Sequence, residues 1–331
     1  MVRLFRDIRG VQESGARFSW LYHDNPAGAA RIWILKEPSG EPVGFTSGYP
    51  RAFWVDGEVV TALNCGDFSV AAGHRSLGPA LMLRRPAKSL VDAGVYAFLY
   101  AHPLPAMLAV HRRVGHAQLS TMERWVYPLR AGAILERRLG RGLARLLAPV
   151  ADSGLRARRI LQGTRGRRFD IQEVDDFSAD YDDLDLELGQ QYPVIGRRTA
   201  SFLRWRFLRQ PAVAATVLEA RRSVDGVLVG YLVSEPGVPT AKVRDMACIP
   251  GLGVERALLL AAARRAAATG AQSLNVVVQK AFPGTPALQS LGFWERDEEQ
   301  ATVSYGGAGF FGKARVEDVA NWYMTIGDRD I

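Results

Sequence analysis

From Asp67 to Ala80 the sequence reads Asp-Phe-Ser-Val-Ala-Ala-Gly-His-Arg-Ser-Leu-Gly-Pro-Ala, a combination suited to gripping an anion. An apolar strand ends near Ala71, a glycine-containing turn carries His74 and Arg75, and a helix is predicted to start near Gly78-Pro79. Proline suits a first helical position, where its missing N–H has no intrahelical partner. A helix start exposes unpaired amides and the positive end of the dipole, which together attract phosphate. From Gly78 through Gly94 the one acid is Asp92, at the far end, while Arg84, Arg85 and Lys88 add positive charge. Those amides are left for an external anion.

A general base needs a carboxylate or imidazole within reach of the proton it takes, directly or through water. Asp67 is the first candidate, with His102 and Glu123 behind it. All five histidines (His23, His74, His102, His111, His116) lie in the first half, and none is spaced with a second histidine and a carboxylate as metal ligands are. No metal is expected. Cys65 and Cys248 are the only cysteines, so neither a disulfide framework nor a four-ligand zinc cluster is expected. Cys65 is read as preceding the strand and is no placed nucleophile.

The elements that position these residues occur twice. Trp20, Tyr22 and Pro26 share their spacing with Trp205, Phe207 and Pro211. A hairpin pattern follows each, closing on Val43-Gly44 and Val229-Gly230. Gly66-Asp67-Phe68 recurs as Arg244-Asp245-Met246, and each copy continues through an apolar helix, a strand, a short helix and a glycine (Gly115, Gly292) before a last β segment. The order is helix, hairpin, strand, helix, strand, helix, strand, twice. Such alternation implies a mixed, partly parallel sheet. The 331 residues suit two domains, assigned to residues 1–130 and 169–331 with a connector at 131–168.

Arg75-Ser76-Leu77-Gly78-Pro79-Ala80 resembles the pyrophosphate motif of the GNAT superfamily of acyl-CoA-dependent N-acyltransferases, Gln/Arg-x-x-Gly-x-Gly/Ala directly after the central strand. The resemblance implies an α/β fold of two tandem GNAT-like domains, each a mixed, partly parallel sheet flanked by helices. It implies that Val70 and the main chain from Arg75 to Ala80 hold acetyl-CoA or another acyl-CoA. It also implies an acceptor site bordered by Trp20, Tyr22 and Asn25. Many family members place a tyrosine four residues before the glycine that corresponds to Gly115, where it protonates the departing thiolate. Here that position is His111, and the family's asparagine position is Leu104. The second copy, Cys248-Ile-Pro-Gly-Leu-Gly253-Val-Glu255, lacks the basic motif residue, puts an acid in the first helical turn and has Leu288 at the acid position. It reads as a partner that shapes the acceptor pocket.

The formal charge of +8 belongs to the connector: Arg130 to Arg168 holds eleven arginines against Glu136 and Asp152. Residues 134–147 suit one amphipathic helix, its leucines packed on the sheets and its arginines in water. The same pattern also fits peripheral contact with an anionic membrane. Nucleic acid is not expected, because no aromatics interleave with the run. With no apolar leader or run of 18 apolar residues, the reading is a cytoplasmic N-acyltransferase, acetyl first, acting on a small-molecule or sugar amine. The alternatives are a peptidoglycan-type aminoacyltransferase using aminoacyl-tRNA and a non-catalytic CoA-binding or scaffold protein.

Overall fold

The computed structural model describes residues 2–9, 15–163, 168–211, 213–296 and 300–329. Its first half runs α1 (Val2–Arg9), α2 (Gly15–Tyr22), β1 (Arg31–Lys36), β2 (Pro42–Val55), β3 (Glu58–Val70), α3 (Leu77–Asp92), β4 (Phe98–Ala101), α4 (Pro105–Arg113) and β5 (Ala117–Pro128). After α5 (Gly132–Gly163) come β6 (Phe169–Val174), α6 (Asp180–Gln191), β7 (Val194–Gly196), α7 (Ala200–Leu203), β8 (Thr216–Arg222), β9 (Leu228–Glu235) and β10 (Thr240–Cys248). The chain continues through α8 (Val254–Ala268), β11 (Ser273–Gln279), α9 (Thr285–Leu291), β12 (Trp294–Arg296), β13 (Ala301–Gly306), α10 (Lys313–Val316) and β14 (Trp322–Tyr323).

The strands form one mixed sheet ordered β14-β7-β2-β3-β4-β13-β5-β11-β10-β9-β8-β6, with β1 added on β2 and β12 on β5. The last long strand of each half crosses over. β13 pairs with β4 of the first half, and β5 pairs with β11 of the second. Sheet pairing therefore runs across the boundary between residues 1–130 and 169–331. The repeated tryptophans mark the seam. Trp20 and Trp205 stack at 5.1 Å, and each indole N–H donates to the other's carbonyl, at 2.7 and 2.9 Å. The two repeated residues thus form one shared plug between the halves.

Strand boundaries differ from the sequence reading in one instructive place. β2 and β3 form a single long hairpin around Asp56-Gly57, both at positive φ (47° and 81°), as a tight primed turn requires. Cys65 consequently lies inside β3, buried beneath α3 with Leu63, Ala87 and Val91, rather than ahead of the strand.

The connector also departs from expectation. Gly140 (φ 77°, ψ 165°) breaks α5, so residues 134–147 are not one helix. Leu139, Leu143, Leu146 and Leu147 are exposed. The inward stripe is Ala144, Ala148, Ala151, Leu155 and Arg159, and its three small alanines let that part of the helix lie close to its support. Asp152 accepts the Ala131 N–H at 2.6 Å, and Arg159 donates to the Leu129 carbonyl at 3.2 Å. Arg165 and Arg167 lie outside the described residues. Among the described residues no helix is long and apolar enough to cross a membrane.

Candidate active site

α3 opens as the anion reading requires. Its first turn carries no acid and no side chain caps it. Arg75, Ser76, Leu77 and Gly78 are all exposed, so the first amides face solvent. The helix starts at Leu77, which makes Pro79 the third helical residue, still within the turn that needs no N–H. Arg75 folds back to donate from Nε to the Val70 carbonyl at 3.1 Å, pinning the turn to the strand end. His74 Nε2 sits 2.8 Å from Glu37 and closes the turn's other flank.

Behind this mouth the sheet splits. β3 and β4 pair in parallel only from Leu63–Cys65 to Leu99–Ala101, after which β3 runs on to Val70 while β4 ends. Among the described residues no strand pairs with the β4-facing edge of Gly66–Val70. One face of the paired section, Leu63, Cys65, Leu99 and Ala101, packs on α3. Tyr49, Asn64 and Tyr100, cross-strand partners on the other face, line a cavity of ≈ 30 Å³ against the second half. The split between β3 and β4 is where a chain leaving the α3 mouth can pass from one face to the other.

The second half contains the same split in closed form. β10 and β11 pair only over Thr240–Val243 and Ser273–Val276. The gap beyond is filled by the chain's own C-terminal segment: the Gln279 N–H donates to Met324 at 3.1 Å, Thr325 bridges Val278, and Thr325 Oγ1 donates to Asp245 at 2.6 Å. The α8 mouth carries Glu255, whose carboxylate accepts its own main-chain N–H. Burial raises that carboxyl above the usual range.

Asp67 sits at the bulge of β3 with φ 44°, an uncommon backbone for a residue with a side chain. It is neither a turn nor a cap. Its Oδ2 accepts from the Tyr22 hydroxyl at 2.8 Å and from the Tyr49 hydroxyl, with Arg17 at 3.9 Å. Burial first, and then the Asp67 charge, push both phenols well above their ordinary range. Tyr49 therefore connects Asp67 to the cavity. Asn25 reaches the same cavity, donating to the Pro50 carbonyl at 2.8 Å and accepting from Ala27 at 3.0 Å. Of the three residues expected at the acceptor, Asn25 lines the cavity, Tyr22 lies behind Tyr49, and Trp20 is spent on the seam.

Three expected acid–base residues lie elsewhere. His111 is fully buried, its Nδ1 2.9 Å from Nδ1 of His116. Burial, then Arg84, brings the pair down to about 2 and about 3. His111 is thus packed inside the first half rather than on a solvated helix face. His102 is buried against Met324 and brought down to about 3, by burial and then Arg329. Glu123 lies on β5, two strands from β4, because the exchange carries that strand toward the other half. It has left the neighbourhood of Asp67.

These three imidazoles predict an acid limit to stability. Each binds its proton near pH 6.5 when unfolded but only near 2–3 when folded, so stability falls as the pH drops below about 6.5. The loss should be about 1.4 kcal/mol per pH unit for each. Urea unfolding at pH 7.5 and 5.5 measures it. His116→Phe should shrink the difference, and an unchanged difference would mean that the pair is not held neutral.

Pattern reading missed the arginines around the cavity. Asp328 pairs with Arg51 at 3.1 Å and Arg198 at 2.7 Å, and Arg198 also holds Asp245 at 3.2 Å. Arg206 donates to the carbonyls of Gly327 at 2.9 Å and Arg329 at 2.6 Å. Asn64 and Tyr100 bond the Asp328 carbonyl. The C-terminal segment is thereby stapled across both halves. The one available signal was Tyr49-x-Arg51-x-Phe53, a charge at an inward position of an otherwise apolar strand.

No family model matches the chain. No curated protein matches it either. Solved structures do. A protein of Enterococcus faecalis V583, described as a probable N-acyltransferase, aligns at TM-score 0.63 and 12% identity over 92% of this chain and 69% of its own. N-myristoyltransferase of Saccharomyces cerevisiae with bound myristoyl-CoA aligns at TM-score 0.55 and 13% identity, over 92% and 74%. A tandem GNAT protein from the clavulanic acid biosynthesis pathway aligns at TM-score 0.52 and 14% identity, over 89% and 88%. The chain has the fold of these GNAT-like proteins, one of which is a tandem GNAT.

Proposed function

We propose that the chain is an acyl-CoA-dependent N-acyltransferase whose first half holds the acyl-CoA and whose acceptor amine enters between the halves. The observation that carries this reading is the asymmetry of the two helix mouths. The α3 mouth is exposed, acid-free and backed by a strand edge that no strand pairs among the described residues, while the α8 mouth is answered by Glu255 and its split is stoppered by residues 324–325. Main-chain donors from Arg75 to Ala80 suit a diphosphate, with Val70 at the strand end. Acyl-CoA, when bound, supplies the thioester carbonyl that the amine attacks. As the amine nitrogen bonds to the thioester carbon its proton passes through the Tyr49 hydroxyl to Asp67, and the carbon–sulfur bond breaks with CoA leaving as its thiolate, so no covalent enzyme intermediate forms. We assign the protein to the cytoplasm, where its free, buried cysteines stay reduced.

Acyl length is open to assay, since myristoyl-CoA is bound by one structural neighbour, and acetyl is our first choice. A thermal-shift titration with acetyl-, octanoyl- and myristoyl-CoA tests the reading. A ligand at 100 times its dissociation constant stabilises by about 2.7 kcal/mol. Stabilisation by at least one ester is expected. No response to any ester, with a salt-sensitive response to tRNA, would favour an aminoacyl-tRNA-dependent transferase instead.

A further inference from the structure

The cavity between the halves is unusually rich in positive charge for a buried space. Among the described residues Arg51, Arg206 and Arg329 line it, with Asp328 as the lining carboxylate. Behind it Arg198 holds both Asp328 and Asp245. Arg206 pairs with no carboxylate among the described residues. It is 3% exposed and its hydrogen bonds go to the main-chain carbonyls of Gly327 and Arg329. Burial, then Arg244 and Arg51, lower it to about 9. A buried guanidinium without an anion is costly, and an incoming oxyanion would relieve that cost. A polar atom of opposite kind lies beside it: Asn64 Oδ1, buried on the cavity wall, has no hydrogen-bond partner.

We propose that the acceptor is an amine that also carries an oxyanion, a carboxylate before a phosphate, with the anion seated on Arg51 and Arg206 and an amine N–H given to Asn64 Oδ1. The proposal rests on the acyltransferase reading and narrows it to amino acids and related amine-bearing acids. The planar guanidinium fork matches both oxyanions. The ≈ 30 Å³ space admits the two oxygens of a carboxylate more readily than a phosphate's three. Asn64 and Tyr100 form the second of the three parallel rungs of β3 and β4, one short of the split, so an amine placed there lies next to the thioester's route.

The test is a matched-acceptor panel on the full chain with acetyl-, octanoyl- and myristoyl-CoA, reading release of the CoA thiol. The acceptors are the common amino acids, their carboxamides, the corresponding decarboxylated amines, and 2-aminoethyl phosphate. At least one amino acid should be acylated, with its carboxamide and decarboxylated partner lower in kcat/KM by about 10- to 100-fold, the loss of one charged hydrogen-bonding partner. Arg51→Met should move the acid-to-amide ratio toward one. Preference for 2-aminoethyl phosphate would keep the oxyanion and overturn the choice of carboxylate. Equal or better use of neutral amines, or no turnover of any acid, would overturn the proposal while leaving acyl-CoA binding intact. Absence of acyl-CoA binding in the thermal-shift titration would instead overturn the underlying reading.

Discussion

Replacing Gly78 with glutamate is expected to weaken acyl-CoA binding by about 100-fold, or roughly 2.7 kcal/mol, while the melting temperature stays the same or rises. The substitution is sterically silent: no atom lies within 4 Å of a Cβ at Gly78, and the backbone there is not left-handed. Glutamate is also a better helix former than glycine by a few tenths of a kcal/mol or more. What changes is the occupant of the α3 mouth, where the new carboxylate would meet the helix's positive end, as Glu255 does in α8. Calorimetric titration of the wild type, Gly78→Glu and Gly78→Ala checks it. The alanine variant should bind nearly as the wild type does. Equal affinity in all three would move the diphosphate seat elsewhere.

Arg198→Met should be the most damaging single change to stability, costing about 3–5 kcal/mol and lowering the melting temperature by roughly 10 °C. Arg198 is 1% exposed and neutralises both Asp245 and Asp328. Its loss strands two buried carboxylates. Burial alone would raise the Asp328 carboxyl, but Arg198 and Arg51 hold it below its ordinary range. Stability from that depression is present above about pH 4 and is lost as the pH falls through the folded value. The gap between wild type and variant should therefore be widest near neutrality and close in acid. Differential scanning calorimetry in steps from pH 7 to about pH 2.5 reads both effects. A gap independent of pH would mean that the network holds by shape rather than charge.

Much of the scaffold was legible because local rules wrote it. The repeat at Trp20 and Trp205, the strand–turn–helix at Asp67 to Ala80 and the acid in the first turn of α8 each follow from residue type and short spacing. The Asp56-Gly57 turn was equally visible and was passed over. Strand partners were not legible, since an alternating pattern fixes which face of β5 or β13 is apolar but not which strand lies beside it. The polar lining of the cavity escaped for a related reason. Asn64 meets Asp328 across 264 residues and Arg206 meets Gly327 across 121, distances at which no spacing rule operates. His111 shows the converse: position in a motif suggested an acid, while burial and Arg84, neither visible in the spacing, favour its neutral form.

The crossing of β5 and β13 bears on how the chain is made. The edge of β4 that β13 will cover stays bare until residue 301 leaves the ribosome, 200 residues after Ala101. At roughly 5–20 residues per second that interval is about 10–40 s. During it the nascent N-terminal piece carries an open edge of Phe98 to Ala101, an invitation to pair with a neighbouring nascent chain. Severing the polypeptide after α5 should yield fragments that are insoluble apart and folded only when coexpressed.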